Sequence, residues 1–182
     1  DSYTIATKIF MPRDREGLFH PQSSEKDFLE RFRQSLKRLR MDYVDILYLH
    51  SISNPVSLIY PPYVKAMLKI KKQGKARFLG VSTHANEPEI IRKAADSGIY
   101  DVILTSYNYR QKHHNEVAEA IASAAEKGLG IVGMKAIAGF VQNIGGDHSA
   151  VNPAAAIKWV LRNKHIHTLI AGFTTFDQLN TD

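Results

Sequence analysis

A parallel α/β fold is what this sequence predicts, and three observations predict it. Short apolar runs rich in Ile, Val and Leu alternate with helical patterns along the whole chain. Most of those runs are apolar throughout, as strands buried on both faces should be. The strand–helix unit recurs every ~25–40 residues, the length that a parallel sheet with helical crossovers needs.

Six strands are expected, at 4–9, 44–50, 77–82, 102–107, 130–136 and 168–173. Between the first two, Ser24-Glu25-Lys26-Asp27 is a capping box, and Phe28, Leu29, Phe32, Leu36 and Leu39 form the apolar stripe behind it. Val64, Met67, Leu68 and Lys71 mark the next helix, which stops near Gly74. Asn86 caps a helix carrying Ile90, Ile91 and Ala94 and ended by Gly98. Val117, Ile121, Ala124 and Ala125 form another, ended by Gly128. Asn152-Pro153 is an N-cap followed by proline at the first helical position, with Ile157, Val160 and Leu161 facing the core. A last helix opens at Thr174 or Thr175.

No low-complexity segment or linker divides the chain, so residues 1–182 are expected to form a single domain. Two architectures suit the repeat: an open doubly wound sheet or part of a (β/α)₈ barrel. No G-x-G-x-x-G follows the first strand, which weakens the dinucleotide-binding open sheet. The absence of cysteine removes disulfides and thiolate metal sites. No apolar run reaches the ~18–20 residues that span a bilayer, so no membrane partner is expected. A net charge of +6 favours anionic ligands. The basic stretch Lys65, Lys69, Lys71, Lys72, Lys75 and Arg77 lacks interleaved aromatics, so it reads as a solvated helix face rather than a nucleic-acid surface. His113-His114 reads as a solvated loop, because adjacent side chains in extended backbone diverge. Gly145-Gly146-Asp147-His148 reads as a loop on the active-site side.

In parallel α/β folds the chemistry sits at the C-terminal ends of strands. The run Val44 to Leu49 ends in His50, and the first strand delivers Lys8 in the same way. The two make a plausible catalytic pair.

Ser35-Leu36-Lys37-Arg38-Leu39 leading into 42–50 resembles the signature of the aldo-keto reductases. Gly74-Lys75-Ala76-Arg77-Phe78-Leu79-Gly80-Val81-Ser82 is similar to the family's next segment, and Ile170-Ala171-Gly172 with Gln178-Leu179 to its cofactor-binding strand end and helix. Met134-Lys135 resembles a branch with Met-Lys in place of an aromatic residue and serine. The resemblance implies an incomplete (β/α)₈ TIM barrel, with about six of eight units represented, starting at the third strand and stopping inside the last unit. It implies a nicotinamide-dependent oxidoreductase reducing aldehydes or ketones, cytoplasmic, with NADPH as cofactor and NADH as the alternative. Lys8 and His50 match two members of the family's Asp, Tyr, Lys and His tetrad; the Asp and Tyr are expected outside this chain. Cofactor contacts are implied at Ser82, Thr83, Ser106, Asn108, Met134, Lys135, Gly172, Thr174, Thr175 and Gln178, and no metal is. Phe10, Tyr60 and Tyr109 are candidates for the substrate pocket. The alternatives are a non-catalytic nicotinamide-binding subunit or sensor on the same fold, or an inactive truncated barrel that self-associates through its exposed edges.

Overall fold

The computed structural model describes residues 3–137, 152–172 and 176. In chain order the elements are β1 (Ala6–Ile9), α1 (Glu25–Leu39), β2 (Val44–Leu49), α2 (Pro55–Leu58), α3 (Pro61–Lys72) and β3 (Ala76–Thr83). After these come α4 (Glu87–Ser97), β4 (Val102–Ser106), α5 (His114–Glu126), β5 (Gly130–Met134), α6 (Pro153–Leu161) and β6 (Thr168–Ile170). The strands form one sheet in sequence order, each parallel to the next. An open doubly wound sheet reverses its strand order at a switch point. This sheet does not: it is six strands of an incomplete (β/α)₈ barrel.

Local chemistry explains where the helices begin. At α1 the Ser24 hydroxyl accepts from Asp27 N (3.2 Å), and the Asp27 carboxylate accepts in return from Ser24 N (3.2 Å). Asn152 caps α6 by accepting from Ala155 N at 3.0 Å. Asn86 holds the N-cap position of α4 but makes no side-chain cap bond; its backbone is left-handed (φ 55°) and its amide turns to Glu89. The short α2 was not expected. Asn54-Pro55 opens it as Asn152-Pro153 opens α6, yet four residues are too few for a periodic pattern to register.

Two other expectations are corrected. Leu161 does not face the core: it is 50% exposed, and Ala156 and Val160 are the buried face of α6. The fifth strand stops at Met134 rather than reaching Ala136, because Lys135 turns into the left-handed region (φ 56°) and leaves the ladder. The basic stretch is partly a set of surface ties between elements. Lys65 and Lys69 meet Glu25 (3.1 and 3.4 Å), Lys71 meets Asp101 (2.7 Å), and Arg77 meets Asp45 (2.9 Å).

Strand alternation separates two apolar clusters. Ile9, Leu47, Leu49, Leu79, Val81, Ile103 and Ile131 point outward into the main core under the helices. Tyr48, Val102, Leu104, Val132 and Met134 point inward as a second cluster. On the inner face Tyr48 is in register with Gly80, and Gly80 with Val102. The tyrosine ring occupies the space a side chain at Gly80 would need. A Cβ there would lie 2.4 Å from Tyr48 Cδ1, 2.5 Å from Cε1 and 3.0 Å from the Val102 carbonyl oxygen.

Gly80→Ala is therefore expected to destabilise the protein by about 2 kcal/mol through overpacking. Tyr48→Ala should relieve much of that cost in the double variant. A denaturant-unfolding cycle checks it: two additive single effects would mean the ring and the glycine are not coupled.

Candidate active site

Parallel pairing gathers the C-terminal strand ends on one rim, and period-two alternation decides which side chains face the mouth. Lys8, His50, Ser82, His84, Ser106 and Met134 all share the inward parity of their strands.

The centre of the rim is a three-part junction at Ser82. Its side chain is fully buried. The hydroxyl oxygen accepts from Ser51 N at 2.8 Å and lies 2.9 Å from His50 Nδ1. A buried hydroxyl also needs an acceptor for its own hydrogen, and His50 Nδ1 supplies one. That assignment makes Nδ1 an acceptor and leaves the proton on Nε2, which makes no hydrogen bond among the described residues. The backbone holds the arrangement. His50 N donates to Ile9 O (3.1 Å), Ile52 N donates to Ser82 O (2.7 Å), and Ser51 adopts the left-handed region (φ 59°). Arg13 Nη1 donates to His50 O (3.1 Å) and to Ser51 O, gripping the turn from outside.

A second histidine stands beside the first. His84 meets His50 edge-on, with ring centroids 5.8 Å apart, and its Nδ1 lies 3.4 Å from Ser106 Oγ. Phe10 also packs edge-on against His50, at 6.2 Å. Burial pushes the His50 pKa below its ordinary value, and the charges of Lys8 and Arg13 push it further. Burial, then Lys135, His50 and Lys8, lower His84 to about 4, against a weaker opposing pull from Glu87. Both rings are therefore neutral at pH 7.

The other expected site residues divide into three groups. Lys8 is exposed at the end of β1 and close enough for its charge to act on His50, so the two are brought together. Met134 lies in the inner cluster, and Lys135 is exposed just beyond it, with no hydrogen-bond or ion-pair partner among the described residues. Thr83 is buried and donates to Ala85 O at 2.8 Å. Asn108 shapes the turn after β4: its side chain accepts from Arg110 N (3.1 Å), and its N–H donates to Gln111 Oε1 (2.9 Å). Gly172 is exposed with open space around it. Thr174, Thr175, Gln178 and the loop around Gly145–146 lie outside the described residues.

Phe10 lines the mouth, but Tyr60 and Tyr109 do not. Tyr60 donates to Ser23 O (2.9 Å) and packs on Phe19 and Tyr63, while Tyr109 packs on Trp159. Nor is His113-His114 a solvated loop. His113 Nε2 lies 3.0 Å from the buried Glu87 carboxylate, and His114 opens α5 with its ring against Trp159.

Sequence reasoning missed His84 and Arg13. Parity was the available signal for His84, two residues beyond Ser82 on the same face. Arg13 enters through a small hairpin. It is bridged to Phe19 across a turn in which Asp14 Oδ1 accepts from Glu16 N and Leu18 N, both at 2.9 Å, and Gly17 takes φ 79°. This hairpin walls a pocket of about 350 Å³ beside His50. Phe10, Arg13 and Arg15 contribute from the loop after β1, Ser51 and Ser53 from the loop after β2, and His84 from the end of β3. Among the described residues no cluster of His, Cys, Asp or Glu suits a metal ion, and no helix is long and apolar enough to cross a membrane.

The aldo/keto reductase family model matches residues 1–156, and the chain belongs to that family. It is 31% identical over 141 residues to L-galactose dehydrogenase of Arabidopsis thaliana, a match covering 75% of this chain and 41% of that protein. It is 36% identical over 78 residues to methylglyoxal reductase DkgB of Salmonella typhimurium, covering 43% and 26%. The chain thus spans less than half the length of these relatives. Among solved structures, the holo form of an aldo-keto reductase from Bacillus halodurans superposes with a TM-score of 0.72 at 19% identity, over 98% of this chain and 64% of that one. The thermostable aldo-keto reductase Tm1743, in complex with the inhibitor epalrestat, gives 0.70 at 18% identity over 96% and 62%.

The family uses nicotinamide cofactors, and the donor set fits such a group in part. Lys135, exposed and without a hydrogen-bond or ion-pair partner among the described residues, is a cation that would suit an anionic dinucleotide, and Met134 would offer a polarisable contact beside it. The hydroxyls of Ser82 and Thr83, by contrast, are already engaged within the chain.

Two outcomes are expected. By NMR both histidines should titrate below 6.5, His84 well below. As pH falls from about 6.5 toward 4, the unfolded chain takes up a proton that folded His84 refuses, so stability should drop across that window. His84→Gln should flatten that part of the stability profile; an unchanged profile would assign the drop elsewhere. In Ser82→Ala, His50 loses the partner that fixes its tautomer, and its ¹⁵N shifts should move from an Nε2–H pattern toward a mixture.

Proposed function

We propose that this chain is part of an NAD(P)H-dependent oxidoreductase that reduces aldehydes or ketones to alcohols in the cytoplasm. The observation that carries the reading is His50, held through Ser82 at Nδ1, with Nε2 making no hydrogen bond among the described residues and its ring packed against His84 and Phe10, which line the pocket. In this reading the carbonyl oxygen of the substrate lies against His50 Nε2–H, which orients it and meets the negative charge that develops there. Lys8 provides an ammonium beside that oxygen. Met134 packs on the nicotinamide and Lys135 meets a phosphate. The bound cofactor supplies the hydride; NADPH is the expected form, with NADH the alternative.

The reaction also needs a proton donor. In the family this is a tyrosine, its pKa lowered by the lysine, with an aspartate holding that lysine. No motif in residues 1–182 matches either group. The proposed activity therefore belongs to the protein in which this chain is joined to an Asp and a Tyr.

The test is a fluorescence titration of the intact protein with NADPH and NADH, followed by carbonyl-dependent loss of 340 nm absorbance. His50→Ala is expected to keep cofactor binding and to lose ~10²–10³-fold in kcat/KM, the range seen when one oxyanion donor is removed. Cofactor binding without turnover of any aldehyde or ketone would favour the non-catalytic subunit. Neither binding nor turnover would end the reductase reading.

A further inference from the structure

The pocket beside His50 is walled by a preformed hairpin, not by a slack loop. Arg13 pairs with Phe19 across the turn, and Asp14 N donates to Leu18 O at 3.0 Å. The hairpin is tied down at its far end as well. Asn54 Nδ2 donates to Glu16 O (2.9 Å), and Ser57 Oγ donates to Gly17 O (2.7 Å). Ser53 Oγ fills the space where Gly17 would carry a side chain, only 2.7 Å from the position of a Cβ.

The charge on this wall is unbalanced. Arg13 is half-buried behind Phe10 and Phe19, its guanidinium carbon 5.3 and 5.8 Å from their ring centroids, so its charge is fixed in place. Arg15, at the tip of the turn, lines the pocket and has no hydrogen-bond, ion-pair or ring partner among the described residues. The charge of Lys8 also reaches His50. The carboxylate that lines the pocket, Asp14, has one oxygen already held by two N–H groups of its own turn. A guanidinium with its fork unused, backed by a second fixed cation, is suited to a carboxylate. The pocket is lined by the loops after β1, β2 and β3, and neither Met134 nor Lys135 of the β5 end is among its lining residues. An anion-binding feature there is separate from the Met134-Lys135 strand end to which the cofactor is assigned above, which favours the substrate as its occupant.

We propose that the substrate is an aldehyde or ketone that also carries a carboxylate, seated with its carbonyl at His50 Nε2 and its carboxylate on Arg15, with Arg13 behind. This rests on the carbonyl-reductase reading and adds the substrate class to it.

A matched pair tests it: 4-carboxybenzaldehyde against its methyl ester, in the intact protein with saturating cofactor. The acid is expected to be preferred at least ~10-fold in kcat/KM, the size of a charge-assisted hydrogen bond. Arg15→Gln should collapse that preference, chiefly through KM, while Arg33→Gln on the remote face of α1 should leave it intact. Calorimetry with 4-(hydroxymethyl)benzoate gives a readout free of turnover: binding to the wild type, weakened about tenfold in Arg15→Gln. Equal use of acid and ester, or a preference that survives Arg15→Gln, overturns the proposal and leaves the reductase reading standing. 4-(Hydroxymethyl)benzoate binding that weakens in Arg15→Gln, with no aldehyde or ketone turned over, leaves an anion site but overturns the substrate proposal, because the reductase reading on which it rests has then failed.

Discussion

Parallel pairing of each strand with its sequence neighbour is the constraint from which the site follows. A parallel pair cannot be joined by a tight hairpin, so each connection must carry the chain back along a helix to the same starting edge. Six strands built this way end on one rim. Alternation then divides each strand between an outward set packed under helices and an inward set. Near the middle of the sheet the inward set is apolar: Tyr48, Val102, Leu104 and Val132. One step further along, the same parity delivers His50, Ser82 and Ser106. A register slip of one residue would exchange Leu49 for His50 at the mouth and bury the imidazole under α-helices. The core therefore enforces the positions of the polar residues on the rim.

The polar rim is held by exchange between adjacent loops. Ser82 belongs to β3, but its oxygen completes the turn after β2, and the Arg13 guanidinium from the loop after β1 caps the same turn. Three consecutive units thus meet at one histidine. Left-handed residues stand beside the strand ends: Ser51 after β2, Asn86 shortly after β3, and Lys135 after β5. Such backbone is disfavoured for residues with a side chain, and it persists where the surroundings over-determine it. At Ser51 the surroundings are visible: its N–H and C=O are both claimed, by Ser82 and Arg13.

Much of the barrel was legible because it is written in period. The apolar strands, the Ser24 capping box and the glycines closing the helices are local signals, and local signals survive in a single sequence. The strand-end histidine was legible for the same reason, since an apolar run that stops at His50 marks its own boundary. What escaped was non-local. Leu161 is apolar and on a helix, but its burial depends on which face of α6 meets the sheet, and Ala156 and Val160 decide that. Lys135 was expected inside a strand, and a left-handed turn there has no sequence mark comparable to a glycine. His113 looked like a loop residue until the buried Glu87, 26 positions earlier, came within 3.0 Å of it.

The two neutral histidines and the cations around them are one electrostatic fact rather than two. Burial is the largest cause that keeps His50 and His84 unprotonated, and the charges of Lys8, Arg13 and Lys135 add to it. Their combined field makes another positive charge costly at the mouth, and by the same sign it makes a negative one welcome. A rim that repels its own imidazolium is therefore prepared for species that arrive or develop as anions. Under the proposals made above, a dinucleotide phosphate, a substrate carboxylate and the oxygen of a carbonyl accepting hydride are three such species, each assigned to a different part of the rim. The charge arrangement is uneconomical for an empty surface, because exposed cations left unpaired destabilise one another. An anion at the mouth would relieve that repulsion.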